Sequence, residues 1–140
     1  MIRATVDTNI LISGLVYRRG KPHDLLQRAL AGEISLTISQ PIVDEMADVL
    51  ARKFGATLEE TAEAREIVAE AARIVTPSVE LNVIAHDPPD NRVLECAVSA
   101  GSDYIVTGDK DLLRLKEFDG IRIVTVAEFL NIAAGQQHAR

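Results

Sequence analysis

Apolar residues recur along the chain in two rhythms, short continuous runs and longer stretches at helical spacing. The first short segment, Ile-Arg-Ala-Thr-Val at 2–6, ends on Asp7 and predicts a strand. Helical spacing follows from about Asn9, and again from Pro22 to Ala31, where Pro22 suits a first helical turn and Gly32 a stop. Ser35 to Ile38 predicts a second strand. Pro41 then opens a helix to about Lys53, with Gly55 beyond it. Leu58 to Ala72, rich in Ala and Glu, predicts a further helix. Arg73 to Thr76 reads as a third strand closed by Pro77.

Residues 78–89 carry no period and end in His-Asp-Pro-Pro, where two prolines oppose helix. A helix is predicted from Asp90 to Gly101, a strand over Tyr104–Thr107, a helix over Lys110–Phe118 and a last strand over Ile121–Val126. A short helix through Ala133 closes the pattern. Strands alternating with helices predict an α/β fold, a three-layer α/β/α sandwich around a mainly parallel sheet. Residues 1–132 are expected to form one domain, with 133–140 a flexible C-terminal tail.

The composition narrows the class. At 140 residues and 47% hydrophobic, the chain can bury one substantial core. The apolar run Ile10–Val16 is interrupted by Ser13 and Gly14, so neither a membrane span nor a signal-peptide core is expected. A single cysteine, Cys96, excludes an intrachain disulfide and suits a reducing cytoplasm; its apolar neighbours predict a buried, inert thiol. The formal net charge of −6 argues against nonspecific nucleic-acid binding. That objection weakens if some of the acids hold cations, since two divalent ions would bring the charge to about −2. Glu59, Glu60, Glu63, Glu66 and Glu70 instead look like a solvated helix face.

Ligands of open α/β sheets bind beyond the carboxyl ends of the strands. Asp7 and Asp109 both lie there. Each also precedes a helix, as Asp90 does, so each could serve simply as an N-cap. Helical phase separates the acids of the third helix. Ile42, Val43, Met46, Val49 and Leu50 form its apolar face, Asp44 and Asp48 fall opposite, and Glu45 sits at the edge. On the helix from Asp90, Val93, Leu94, Ala97 and Val98 form the core stripe, Asp90 shares its bearing, and Arg92 and Glu95 are predicted to point outward. Asp87 reads as a turn residue. Two carboxylates 4 Å apart repel by about 4 kcal/mol at an effective dielectric near 20, so convergent acids need cations or protons. Oxygen-only ligands select Mg²⁺ or Mn²⁺, and such ions suit phosphodiester hydrolysis.

Val-Asp-Thr-Asn at 6–9, Ser-Gln-Pro-Ile-Val-Asp-Glu-Met at 39–46, Asp-Pro-Pro-Asp-Asn at 87–91 and Val-Thr-Gly-Asp-Lys-Asp-Leu-Leu at 106–113 together resemble the PIN-domain ribonucleases, in the family's order. The match is most similar to the VapC-like toxins of toxin–antitoxin systems. The resemblance implies Mg²⁺- or Mn²⁺-dependent RNA cleavage, with Asp7, Glu45, Asp90 and Asp109 as catalytic metal-site acids and Asp111 as a fifth metal ligand. It places Thr8, Asn9, Asn91 and Thr107 among the polar residues that orient those acids. It also implies an RNA substrate, a cognate antitoxin protein, a homodimer and no membrane partner. The departure from the family is electrostatic, because the chain lacks a pronounced basic surface.

Other classes fit less well. A phosphoacceptor receiver domain needs a lysine beyond a later strand, which Asp109-Lys110 imitates poorly, and a haloacid-dehalogenase-type phosphatase would want a second acid where Asn9 stands. A catalytically silent module that binds RNA or protein would not need the acids intact. Arg18, Arg19 and Lys21 are the candidate contacts to RNA phosphates, while Arg52 and Lys53 complement a helix dipole. His23, His86 and His138 match no ligand spacing. The helical phase makes a direct prediction: Glu45→Gln should abolish RNA cleavage, while Asp44→Asn and Asp48→Asn leave it nearly unchanged. Equal losses at all three positions in a cleavage assay would show the phase to be wrong.

Overall fold

The structure is a computed structural model, and residues 1–84 and 88–138 are described. In chain order the elements are β1 (Arg3–Val6), α1 (Thr8–Val16), α2 (Lys21–Leu30), β2 (Ser35–Ser39), α3 (Gln40–Phe54), α4 (Leu58–Ala71) and β3 (Ala72–Val75). Then follow α5 (Pro88–Ala100), β4 (Tyr104–Val106), α6 (Lys110–Leu115), β5 (Glu117–Phe118), β6 (Ile121–Val124) and α7 (Val126–His138). The sheet order is β3-β2-β1-β4-β6-β5. Every pairing is parallel except β5 with β6.

The first three strands are laid outward from β1 in one direction. The chain then returns through α5 and adds β4 on the other side of β1. The β1–β4 boundary is therefore where the winding reverses, and a crevice opens at the strand ends of such a reversal. Register places Val6 beside Val106, so the residues that follow, Asp7 and Thr107, leave the sheet side by side.

Helices cover both faces, completing the three layers. On one face Val6 and Leu36 line a small void with Leu25 and Leu26 of α2. On the other, the fully buried Thr5 meets Ser102 at 2.8 Å and the Cys96 sulfur of α5 at 3.9 Å. Burial pushes the Cys96 thiol up to about 11, which keeps it protonated at neutral pH. No described helix is long and apolar enough to cross a membrane.

Four boundaries depart from the sequence expectation. The prolines open α5 rather than precede it, because residues of a first turn need no intrahelical N–H bond. The third strand begins at Ala72, directly on the end of α4. The helix expected to reach Phe118 stops at Leu115, where Lys116 takes a φ of 63°, and a two-residue strand, β5, turns back through Asp119 and Gly120 onto β6. Finally, α7 runs past Ala133 to His138.

Helices α1 and α2 approach each other at a glycine. A Cβ on the buried Gly14 would lie 2.9 Å from the Pro22 carbonyl oxygen, a backbone atom that cannot rotate away. Gly14→Ala gains roughly 1 kcal/mol of helix propensity, whereas overpacking costs about 1–3 kcal/mol. Net destabilisation of about 1 kcal/mol is the expected outcome, measured as a lower urea midpoint. A stabilised variant would contradict so close a helix contact.

Candidate active site

Asp7 leaves β1 and caps α1. Its Oδ1 accepts from the Ile10 N–H at 2.9 Å, and its Oδ2 accepts from the Thr107 hydroxyl. The same hydroxyl oxygen accepts from the Asp109 N–H at 2.9 Å. Asp109 in turn caps α6, its Oδ1 accepting from Asp111 and Leu112 at 2.8 and 3.1 Å. Thr107 thus joins the Asp7 carboxylate to the Asp109 backbone across the topological reversal. The capping reading of both residues is correct, and it does not exhaust them: Asp109 satisfies two amide donors with a single oxygen.

A third acid arrives from α5. One carboxylate oxygen each from Asp90, Asp109 and Asp111 falls within 4.8 Å of the others, with Asp90 buried and the other two half-buried. Asp111 also accepts from Arg114 at 3.3 Å. A cleft of about 520 Å³ opens at this point, lined by Asp7, Asn9, Ser13, Asp109, Lys110 and Asp111 among others. Asp7 is buried and its pKa is raised, first by loss of water and further by the Asp109 charge, against the opposing bonds from Thr107 and Ile10.

The three convergent oxygens fit a hard divalent cation. Six-coordinate Mg²⁺ takes oxygens at about 2.1 Å, so opposite ligands stand roughly 4.2 Å apart, and a 4.8 Å spread needs only small side-chain rotations to close. All the donors are carboxylate oxygens, with no histidine or cysteine among them, and this is the chemistry such ions prefer.

Glu45 stands outside that trio. It lies half-buried on α3, and its Oε2 accepts from the Thr8 hydroxyl at 3.3 Å, one residue from Asp7. Asp44 and Asp48 are solvent-facing, as helical phase predicts. The Gln40 amide and the Arg65 guanidinium hold the Asp44 carboxyl below its ordinary value.

The polar residues grouped with the acids divide. Thr8 and Thr107 bond to Glu45 and Asp7. Asn9 is exposed on the cleft wall. Asn91 is buried, accepting from the Val83 and Ile84 N–H groups at 2.9 Å and donating to the Ile84 carbonyl at 2.7 Å. Ser13 and Lys110 also line the cleft. Ser13 was legible as the residue one helical turn beyond Asn9, and Lys110 as the cation between two acids.

One expectation is overturned. Glu95 does not point outward; it is 5% exposed, paired with Arg92 at 2.7 Å and accepting from the Leu81 N–H at 2.7 Å. The segment before α5 folds back over the helix face that the sequence reading assigned to solvent. Arg92 is itself only about a third exposed. Of the basic loop, Arg19 and Lys21 are exposed, while Arg18 lines a separate groove with Leu15, Leu50 and Phe54. His23 contacts the Gly14 carbonyl at 3.2 Å. Asp87, His86 and the His138 side chain lie outside the described residues.

Comparison with known proteins places this geometry. An uncharacterized protein of Methanocaldococcus jannaschii is 27% identical over 120 residues, spanning 83% of this chain and 76% of that protein. The structure of VapBC2 from Rickettsia felis, bound to a DNA fragment from its promoter, contains a similar fold: TM-score 0.66, 14% identity, 89% of this chain and 98% of that one. PAE2754 from Pyrobaculum aerophilum gives a TM-score of 0.64 at 16% identity, over 96% of this chain and 91% of that one. Those two likenesses concern the fold. A PIN domain family profile matches residues 3–111, from the first strand through the last of the clustered acids, and the chain is a member of the PIN-domain family.

Proposed function

We propose that this chain is a metal-dependent ribonuclease that hydrolyses RNA phosphodiester bonds. The observation that supports the reading is the convergence of Asp90, Asp109 and Asp111 within 4.8 Å, where Asp109 and Asp111 line an open cleft with Asp7 at the strand ends. Mg²⁺ or Mn²⁺ bound there would activate the attacking water and stabilise the leaving oxygen. Asp90, Asp109 and Asp111 hold the ion, with Asp7 and Glu45 completing the catalytic set of Asp7, Glu45, Asp90 and Asp109. Thr107 and Thr8 keep Asp7 and Glu45 in orientation through the bonds described above. Lys110 offers the cleft a positive charge for a phosphate, which the acidic chain otherwise supplies sparingly. Arg19 and Lys21 extend the RNA path, with Arg18 at its margin.

The physiological setting belongs to the same proposal. The Rickettsia felis neighbour comes from a VapBC assembly, which supports by analogy of fold a toxin role here, with a cognate antitoxin protein as partner. A homodimer in the cytoplasm is the state in which we expect it to act.

Two measurements test the chemistry. With Mn²⁺, single-stranded RNA should yield fragments ending in 5′-phosphate and 3′-hydroxyl, and excess EDTA should abolish cutting. Cyclic 2′,3′-phosphate ends, or full activity in EDTA, would exclude this mechanism.

The second measurement concerns Asp7 without any RNA. Its folded pKa is raised, so the fold favours the protonated acid, and this contribution is lost as pH rises through the folded value. Metal-free Asp7→Asn should therefore melt at or above the parent temperature at pH 7, since Asn also caps helices well. The difference should vanish below about pH 4, where the acid is protonated in both states. Mn²⁺ at a hundred times its dissociation constant should stabilise the parent by about 2.7 kcal/mol and the variant by much less. Equal metal-induced shifts in thermal melts would remove Asp7 from the site.

A further inference from the structure

Helix α5 carries a second polar row that the proposed chemistry does not use. Asn91, Glu95 and Ser99 are spaced four residues apart and so lie along one face. Each accepts backbone N–H groups from the segment 78–84, in reverse order along the chain. Ser99 takes Ser78 at 3.0 Å, Glu95 takes Leu81 at 2.7 Å, and Asn91 takes Val83 and Ile84 at 2.9 Å. The segment is thus strapped to the helix by side chains rather than by a sheet ladder.

The middle rung is the strongest. Glu95 is buried and ion-paired with Arg92, whose Nη2 donates to Oε2 at 2.8 Å and whose Nε lies 2.7 Å from Oε1, while Nη2 also donates to the Leu81 carbonyl at 3.4 Å. Both backbone groups of Leu81 are therefore satisfied by one ion pair. A buried carboxylate is tolerated only when so compensated, and removing it strands the groups it served. The upper rung is one residue from Asp90. With prolines at 88 and 89, the start of α5 has no N–H to offer at either position, while the strap is bonded along the flank of the helix as far as Asn91.

We propose that Glu95 is a positioning residue for the cation site: by clamping the 78–84 strap along α5 it fixes the first turn of the helix, and through it the Asp90 carboxylate. The inference rests on the proposed metal-dependent function. What Glu95 contributes is reach to Leu81, so Gln, which keeps the acceptor oxygen, should replace it, and Asp, which keeps the charge and shortens the arm, should not.

The test measures amide hydrogen exchange at Leu81, Val83 and Ile84, and Mn²⁺ affinity by calorimetry, on the whole chain. Glu95→Ala should speed exchange at all three amides, although only Leu81 bonds to Glu95, and should weaken Mn²⁺ binding about tenfold. Glu95→Gln should stay within about threefold of the parent on both counts. If the alanine variant does not fold, Glu95→Asp carries the test, with loosened amides and a severalfold loss. Ser99→Ala, at the far rung, should free Ser78 while leaving Mn²⁺ affinity intact. A loosened strap with parental Mn²⁺ affinity, or parental exchange in Glu95→Asp, overturns the positioning role and leaves the cation site standing. A parent that binds no Mn²⁺ overturns both this role and the function on which it rests.

Discussion

A carboxylate withdrawn from water at the end of a central strand is the constraint around which this protein is arranged. Asp7 is buried at the end of β1, and its ionised form is costly there. Its surroundings answer with hydrogen bonds: an amide from the first turn of α1 on one oxygen, the Thr107 hydroxyl on the other. Both donors exist only because α1 begins immediately after β1 and because β4 lies directly beside it. Local sequence supplies the first donor and long-range topology the second.

The same logic extends outward. Thr107 faces two demands, donating to Asp7 while accepting from Asp109, which a hydroxyl alone among small side chains can meet. Asp109 then spends one oxygen on the N-terminus of α6, leaving its charge to be shared with Asp90 and Asp111. Capping and metal binding are commonly treated as rival explanations of a strand-end aspartate. Here one oxygen serves the helix while the carboxylate still takes its place in the cluster.

How far the sequence disclosed this depends on how many layers a pattern must describe. Strand ends, the parallel order and the acids at Asp7 and Asp109 follow from alternation of strands and helices, because each is set by one element against the sheet. The phase of α3 placed Glu45 at the edge of its apolar face and Asp44 and Asp48 in solvent for the same reason. The phase of α5 failed because that helix is covered twice, by the sheet on its apolar stripe and by the 78–84 strap on its polar side. A helical wheel registers hydrophobic contact with one neighbour and cannot show that Glu95 is buried by an irregular segment through hydrogen bonds. The bonds of Asn91 to Val83 and Ile84 were invisible to the wheel for the same reason. The short β5 was hidden because positive φ at Lys116 and Asp119 breaks the expected helix without a glycine at either position.

The bond from Thr107 to Asp7 spans 100 residues of chain. A ribosome adding about 5–20 residues per second therefore needs roughly 5–20 seconds to deliver the second partner after the first. During that interval the N-terminal strand and its aspartate have been made, but β4, Thr107 and the acids of α6 have not. No truncated fragment ending before Asp109 can assemble the carboxylate cluster, whatever helices it has already formed. The cluster thus waits on synthesis of the chain as far as Asp111, and the parallel pairing of β1 with β4, the most widely separated in sequence among the described strand pairs, sets the clock.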